Sequence, residues 1–182
     1  PPPLFSPLTT SLLIQVPTTY HSIQSISSAQ RKQTERNKMA SLTDFFTAFD
    51  AAASKEKFTP ALQSSAASID KAALQAALDA VLAAGDDATA AGNDAVLKAG
   101  FEFATELVKM LEKEPGPEEK LGLYKYFKQA RGEKPAEPSF YQMEAKFKYN
   151  AWKEVSHISA QKAQALYIKQ VNDLINKYGT RA

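Results

Sequence analysis

Between Asn93 and Gly179, apolar residues recur at steps of three and four in four successive blocks, each bounded by residues that start or stop a helix. That period belongs to helices rather than strands. Asn93 or Asp94 can open the first block, whose stripe is Phe101, Ala104, Val108 and Leu111. It stops in "EKEPGPEEK", where Pro117 followed by Glu118 and Glu119 suits the first turn of a second helix. The second helix carries "LGLYKYFKQA" and ends around "RGEKPAEP". Ser139 and Gln142 form a capping-box pattern ahead of the third, which runs through "MEAKFKYNAWKEV". Ser159 can cap the fourth, with Ala163, Tyr167, Val171, Leu174 and Tyr178 in line before Gly179. Four helices joined by short polar turns predict an all-α bundle of antiparallel type.

The residues upstream read differently. Residues 39–96 include 19 alanines. Ser41 or Thr43 can cap a helix carrying Leu42, Phe45, Phe46 and Phe49, and Pro60 then punctuates the chain. Ser68 can cap a second helix with Asp70 in its first turn and Leu74, Leu78, Val81 and Leu82 as a stripe ending at Gly85. Such a thin, alanine-rich stripe allows close helix packing but buries little area. "GDDATAAGND" reads as a linker or frayed turn, so residues 39–95 are expected to be a helical extension with no site of its own. Residues 1–38 are rich in Pro, Ser and Thr, carry no acid before Glu35 and hold no methionine before Met39. They fit neither a secretory signal nor the spaced arginines of a transit peptide. The expectation is a disordered tail or a non-native upstream segment, with translation starting at Met39.

Charge and composition remove several function classes. The 22 basic and 20 acidic residues nearly cancel, so no overall field points to nucleic acid or an anionic membrane. Cysteine is absent, which excludes disulfides, thiolate metal sites and cysteine nucleophiles. Two histidines, His21 and His157, are a poor basis for a metal site or a catalytic dyad. No apolar run approaches the roughly 20 residues a membrane-spanning helix needs. The chain reads as cytoplasmic and monomeric. Residues 97–182 hold 15 basic residues against 11 acidic ones, and an anionic ligand is sought there.

Each helix of that half carries a cation or a polar-tipped ring near its apolar side. Lys109 adjoins Val108, Lys128 lies one turn from Tyr124 with Phe127 beside them, Lys148 lies one turn before Trp152, and Tyr167 falls within the fourth stripe. Singly, each is most simply a snorkelling lysine or a core tyrosine. Together they suit a ligand with a phosphate-rich head and an apolar body: ammonium groups meet phosphates, rings stack on a base, and a groove between helices buries a chain.

The blocks "LYKYFKQA", "KP", "KFKYNAW" and "YIKQVNDLINKYG", in this order, resemble the acyl-CoA-binding protein family across residues 96–182. The resemblance implies an up-down-down-up four-helix bundle that binds medium- to long-chain fatty acyl-CoA without chemical turnover, with no cofactor beyond that ligand. It implies that Tyr124 lies against the nucleotide, that Lys128 and Lys148 meet the 3′-phosphate region, and that Tyr167 hydrogen-bonds nearby. Lys109 would add charge at the head group, while Phe101, Ala104 and Val108 would line or support the groove. Met143 stands where a phenylalanine is common, Phe127 where a tyrosine is frequent, and Lys120 where the family is usually apolar; these changes bear on chain-length preference.

Two alternatives stand beside this reading. Catalysis finds little support: the acids lie on polar faces, His157 has no evident partner, and "GPEEKLG" lacks the phosphate-cradling lysine and hydroxyl. An interaction module with a degenerate groove would place a protein partner on the 39–95 extension, through the phenylalanines of "DFFTAF". Nucleic-acid binding is disfavoured because the lysines are mixed with acids.

Overall fold

A computed structural model describes residues 42–181; the readings made for residues 1–38, Met39 and Ser41 lie outside it. Among the described residues there are seven α-helices, a 3-10 turn over Val108–Met110 and one isolated antiparallel bridge between Leu111 and Thr180, with no strand.

The four predicted helices form where the periodicity places them. They are α4 (Asp94–Leu107), α5 (Pro117–Ala130), α6 (Met143–Val155) and α7 (Ala160–Tyr178). Pro117 occupies the first turn of α5, and Glu119 reaches back to accept the Gly116 N–H at 2.7 Å. Ser159 caps α7 by accepting from the Lys162 N–H at 3.0 Å, and Gly179, at φ 70°, ends it. Ser139 does not cap α6. Its N–H donates to the Gln142 side chain, but the Gln142 N–H closes a turn on the Ser139 carbonyl, so the helix starts one turn later, at Met143.

Cross-helix pairings give the topology. Ala90 meets Gln161 at one end of α4 and α7, and Leu111 bridges to Thr180 at the other, so these two helices run parallel. Helix α5 is antiparallel to α7, since Glu119 meets Gln170, Lys177 and Tyr178 while Ala130 meets Gln164. It is parallel to α6, because Tyr124 faces Lys148 whereas Gln129 faces Trp152 and Ser156. The bundle is up-down-down-up.

Glu119 ties α5 to the end of α7, accepting from Lys177 and from the Tyr178 hydroxyl, each at 2.7 Å. The Lys177 ammonium first, then the Tyr178 hydroxyl and the Gly116 N–H, hold its carboxyl down from 4.5 to about 2. A depressed acid stabilises the fold fully above its unfolded value and loses that contribution as pH falls from 4.5 toward 2. Glu119→Gln should flatten the fall of stability across that window, measured by urea unfolding at stepped pH; an unchanged slope would remove Glu119 from the acid response.

The upstream helices are α1 (Thr43–Ala53), α2 (Pro60–Ala67) and α3 (Lys71–Ala83). Thr43 is the first helical residue rather than the cap. Pro60 opens a helix instead of merely breaking one: Thr59 accepts the Leu62 N–H at 3.4 Å, and proline's fixed φ suits the first turn. Ser68 closes α2, and Asp70 is the residue that caps α3, accepting the Ala73 N–H at 3.0 Å.

The extension buries more than its thin stripe suggested. Phe45 and Phe49 pack edge-on against Phe103 of α4, with centroids 5.9 and 5.3 Å away, and the core runs without interruption from α1 through α7. Leu74 lies so close to Gly100 that a Cβ there would sit 2.5 Å from its Cδ1, so only glycine permits this approach of α3 to α4. Lys162 is 7% exposed, and its ammonium donates to the carbonyls of Val81, Leu82 and Ala84 at 3.0, 3.1 and 2.7 Å. It satisfies the end of α3 from within α7. The "GDDATAAGND" stretch is likewise pinned, since the Asp86 carbonyl accepts the Ser159 N–H at 2.7 Å and the Ala88 carbonyl accepts the Ser159 hydroxyl at 2.6 Å.

Candidate functional site

Helices α5 and α6 lie side by side, and their facing surfaces bring Tyr124 and Lys148 together: the Lys148 ammonium is 5.9 Å from the Tyr124 ring centroid. Lys128 follows Tyr124 by one turn on the same face of α5. Both ammoniums are already held by carboxylates. Lys128 reaches Glu133 and Lys148 reaches Glu144, each at 2.6 Å. Hydrogen bonds from Lys128 and then Arg131 draw the Glu133 pKa below its ordinary value. The Glu144 hydrogen bond raises Lys148, and Lys148 lowers Glu144 in return. Lys109 is held by Glu106 at 2.7 Å.

Tyr167 is a core residue, 4% exposed, with its ring edge-on to Phe101 at 5.1 Å. Burial pushes its phenol pKa up, and the nearby Glu106 charge adds to that. Phe127 completes an aromatic cluster, 5.9 Å from Phe101 and 6.4 Å from Tyr167. Ala104 is wholly buried in the same core.

The ten residues singled out by sequence therefore do not line one cavity. Phe101 and Phe127 line a cavity of about 400 Å³ between α4, α5 and α7. Val108 and Lys109 line one of about 460 Å³ at the α4–α5 turn, with Lys120, Leu123 and Arg181. Met143 and Lys148 line a shallow one of about 320 Å³ on α6. Tyr124 and Lys128, one turn apart on α5, line none of these three.

Sequence reasoning missed three features. The carboxylate partners were legible as charge pairs, Glu144 four residues before Lys148 and Glu106 three before Lys109. Phe140, Tyr141 and Phe147 are 83%, 70% and 58% exposed, and Met143 is 59% exposed beside them, an apolar surface running from the α5–α6 loop onto α6. Phe147 stands one turn from Met143 and next to Lys148, which was the available signal. Gln164, at the floor of the 400 Å³ cavity, carried none.

A sequence model of the family described as acyl CoA binding protein matches residues 98–171, the region of α4 to α7. An acyl-CoA-binding protein of Dictyostelium discoideum is 40% identical over 80 residues, covering 43% of this chain and 95% of that relative. The chain belongs to the acyl-CoA-binding protein family. Other members match the same portion: acyl-CoA-binding protein homolog 1 of Caenorhabditis elegans at 36% over 81 residues, and a Drosophila melanogaster homolog at 39% over 80. These cover 43% of this chain and 94% and 93% of the relatives. Helices α1 to α3 precede the residues matched by the family's sequence model. Among the described residues no group of three or more His, Cys, Asp or Glu is placed to hold a metal ion, and no helix is long and apolar enough to cross a membrane.

Proposed function

We propose that this chain is a non-catalytic intracellular carrier of fatty acyl-CoA esters, with residues 96–182 forming the binding portion and residues 39–95 buttressing it. The observation that carries the reading is the juxtaposition, across α5 and α6, of the Tyr124 ring with the Lys148 ammonium, with Lys128 one turn along α5 and the exposed apolar side chains of Met143 and Phe147 on α6. Its relatives' names point to the same ligand.

The chemistry follows from what each surface offers. Lys128 and Lys148 exchange Glu133 and Glu144 for ligand phosphate, one anion replacing another, so the cations are positioned before the ligand arrives. Tyr124 packs on the nucleotide portion, and Lys109 adds charge along the head group. Phe101, Phe127, Tyr167, Ala104 and Val108 support the groove wall, and Met143 meets the acyl chain. At about 0.8 kcal/mol per buried methylene, a 16-carbon chain contributes roughly 12 kcal/mol before ordering costs. Each charge-assisted hydrogen bond contributes about 1.5–3 kcal/mol. The chain supplies most of the affinity, and the lysines select the coenzyme A ester over the free acid.

The interaction-module reading loses its main surface, because Phe45, Phe46 and Phe49 of the extension are buried within the molecule. Calorimetric titration of palmitoyl-CoA into the full chain, with coenzyme A and palmitate as controls, separates the two. Tight one-to-one binding of the ester, weakened about 10- to 100-fold by Lys128→Ala in a folded variant, is expected. No binding, or an indifferent folded variant, would sink the carrier reading.

A further inference from the structure

The cavity of about 460 Å³ at the α4–α5 turn has one wall that no bundle helix supplies. Residues 179–181, just past α7, run antiparallel along that turn as a short strap. The Glu112 N–H donates to the Gly179 carbonyl at 3.2 Å, Leu111 bridges Thr180, and the Arg181 N–H donates to the Met110 carbonyl at 2.9 Å. The Arg181 guanidinium donates to the Lys109 carbonyl at 2.7 Å and lines the cavity with Val108, Lys109 and Lys120. Val108–Met110 form a 3-10 turn, whose internal hydrogen bonds are poorer than those of an α-helix, so the bonds from the strap add materially to what holds it.

The strap is held in turn from the extension. The Lys57 ammonium donates to the Thr180 carbonyl at 2.6 Å and to the Thr180 hydroxyl at 2.9 Å, and a charged donor makes these bonds stronger than neutral ones. The loop that presents Lys57 is closely specified. Lys55 and Phe58, on either side of it, take left-handed φ values of 61° and 76°, a backbone that costs energy for residues with a Cβ and persists only where the surroundings fix it. Here the Gln63 side chain donates to the carbonyls of Lys57 and Phe58 at 3.3 and 3.1 Å. Phe58 packs against the core, and the Lys57 ammonium lies 5.4 Å from its ring centroid. Lys57, Thr180 and Arg181 all lie outside residues 98–171, the portion matched by the family's sequence model.

We propose that Lys57 is a positioning residue for ligand binding: by fixing Thr180 it holds the strap, and through the strap the Val108–Lys109 wall, so that the extension and acyl-CoA binding are coupled. The inference deepens the carrier reading and rests on it, because that reading places Val108 in the groove wall and Lys109 along the head group. Coupling of this kind is reciprocal. A strap that raises affinity for the ester is steadied by the bound ester to the same degree.

The test compares the full chain as wild type, Lys57→Met and Lys57→Arg. Methionine keeps an apolar stem without the donor, and arginine keeps the charge and the donors. Palmitoyl-CoA affinity is measured by calorimetry and local opening by amide hydrogen exchange. The Glu112 and Arg181 amides report the strap, and the buried Leu78 and Val171 amides report the core. Lys57→Met is expected to bind the ester about 5- to 10-fold more weakly and to exchange the two strap amides at least about 10-fold faster, with the core amides changing less and Lys57→Arg recovering most of both losses. In the wild type, saturating palmitoyl-CoA is expected to slow the strap amides at least about 5-fold, a measurement that stands whether or not the variants fold. Unchanged affinity in Lys57→Met overturns the proposal, as does a loss that Lys57→Arg shares in full or one matched by equally faster exchange at Leu78 and Val171. Wild-type strap amides that exchange alike with and without the ester overturn it too. Failure of the carrier reading is seen separately, as absent palmitoyl-CoA binding to the wild type.

Discussion

Phe103→Ala is expected to lower stability by about 4 kcal/mol, the usual cost of emptying a buried phenylalanine site. Phe103 is 1% exposed and sits where α1 meets α4, with Phe45 and Phe49 both edge-on to it. The loss has two parts: the transfer free energy of the ring, and a cavity that two neighbouring rings can fill only partly. Because the same side chain serves the extension and the bundle, the variant should unfold in one transition at lower denaturant, with no early phase for the extension. Urea unfolding followed by circular dichroism and by Trp152 fluorescence tests both points. Non-coincident transitions would mean that α1 to α3 melt independently and that the shared core is energetically minor.

Lys162→Met should cost about 3 kcal/mol, although it replaces a buried cation with an apolar chain of similar length. A buried lysine is ordinarily unfavourable, and here desolvation pulls its pKa below the usual lysine value while Asp86 opposes that. The ammonium nevertheless answers three carbonyls at the end of α3, groups that no residue of α3 itself can satisfy. Removing it leaves the buried Val81 and Leu82 carbonyls without that donor, and the penalty exceeds what the methionine recovers. Denaturant unfolding of the full chain measures the loss. A loss below about 1 kcal/mol would show that the end of α3 finds other partners and that Lys162 is not what seats the extension.

The four helices of the second half were legible for a local reason. Amphipathic spacing, the Pro117 start, the Ser159 cap and the Gly179 stop are all properties of adjacent residues, and the structure uses each of them. Misreadings arose where two local signals competed. Ser68 and Asp70 both suit a cap, and the backbone settled on Asp70 because Ser68 is consumed in closing α2. Pro60 is both a breaker and a good first residue, and Thr59 before it decided for a helix.

The candidate site was legible in part. Tyr124, Lys128 and Lys148 carry a local pattern, and the tertiary structure brings Tyr124 and Lys148 to facing surfaces. The division of the apolar positions among three separate cavities depends on how helices cross, which no local period encodes. Gln164 is the sharpest case: on the sequence it is one polar residue among several on α7, and only the packing of α5 against it leaves its oxygen without a donor.

By itself, then, the sequence determined the helical period, most of the helix ends and the family resemblance, because these rest on interactions within a few residues. Only the tertiary structure decided that the alanine-rich extension shares the core, since that follows from Leu74 reaching Gly100, Phe103 taking two rings and Lys162 closing α3. These are contacts between residues far apart in the chain, and their favourable energy exists only once the helices have met.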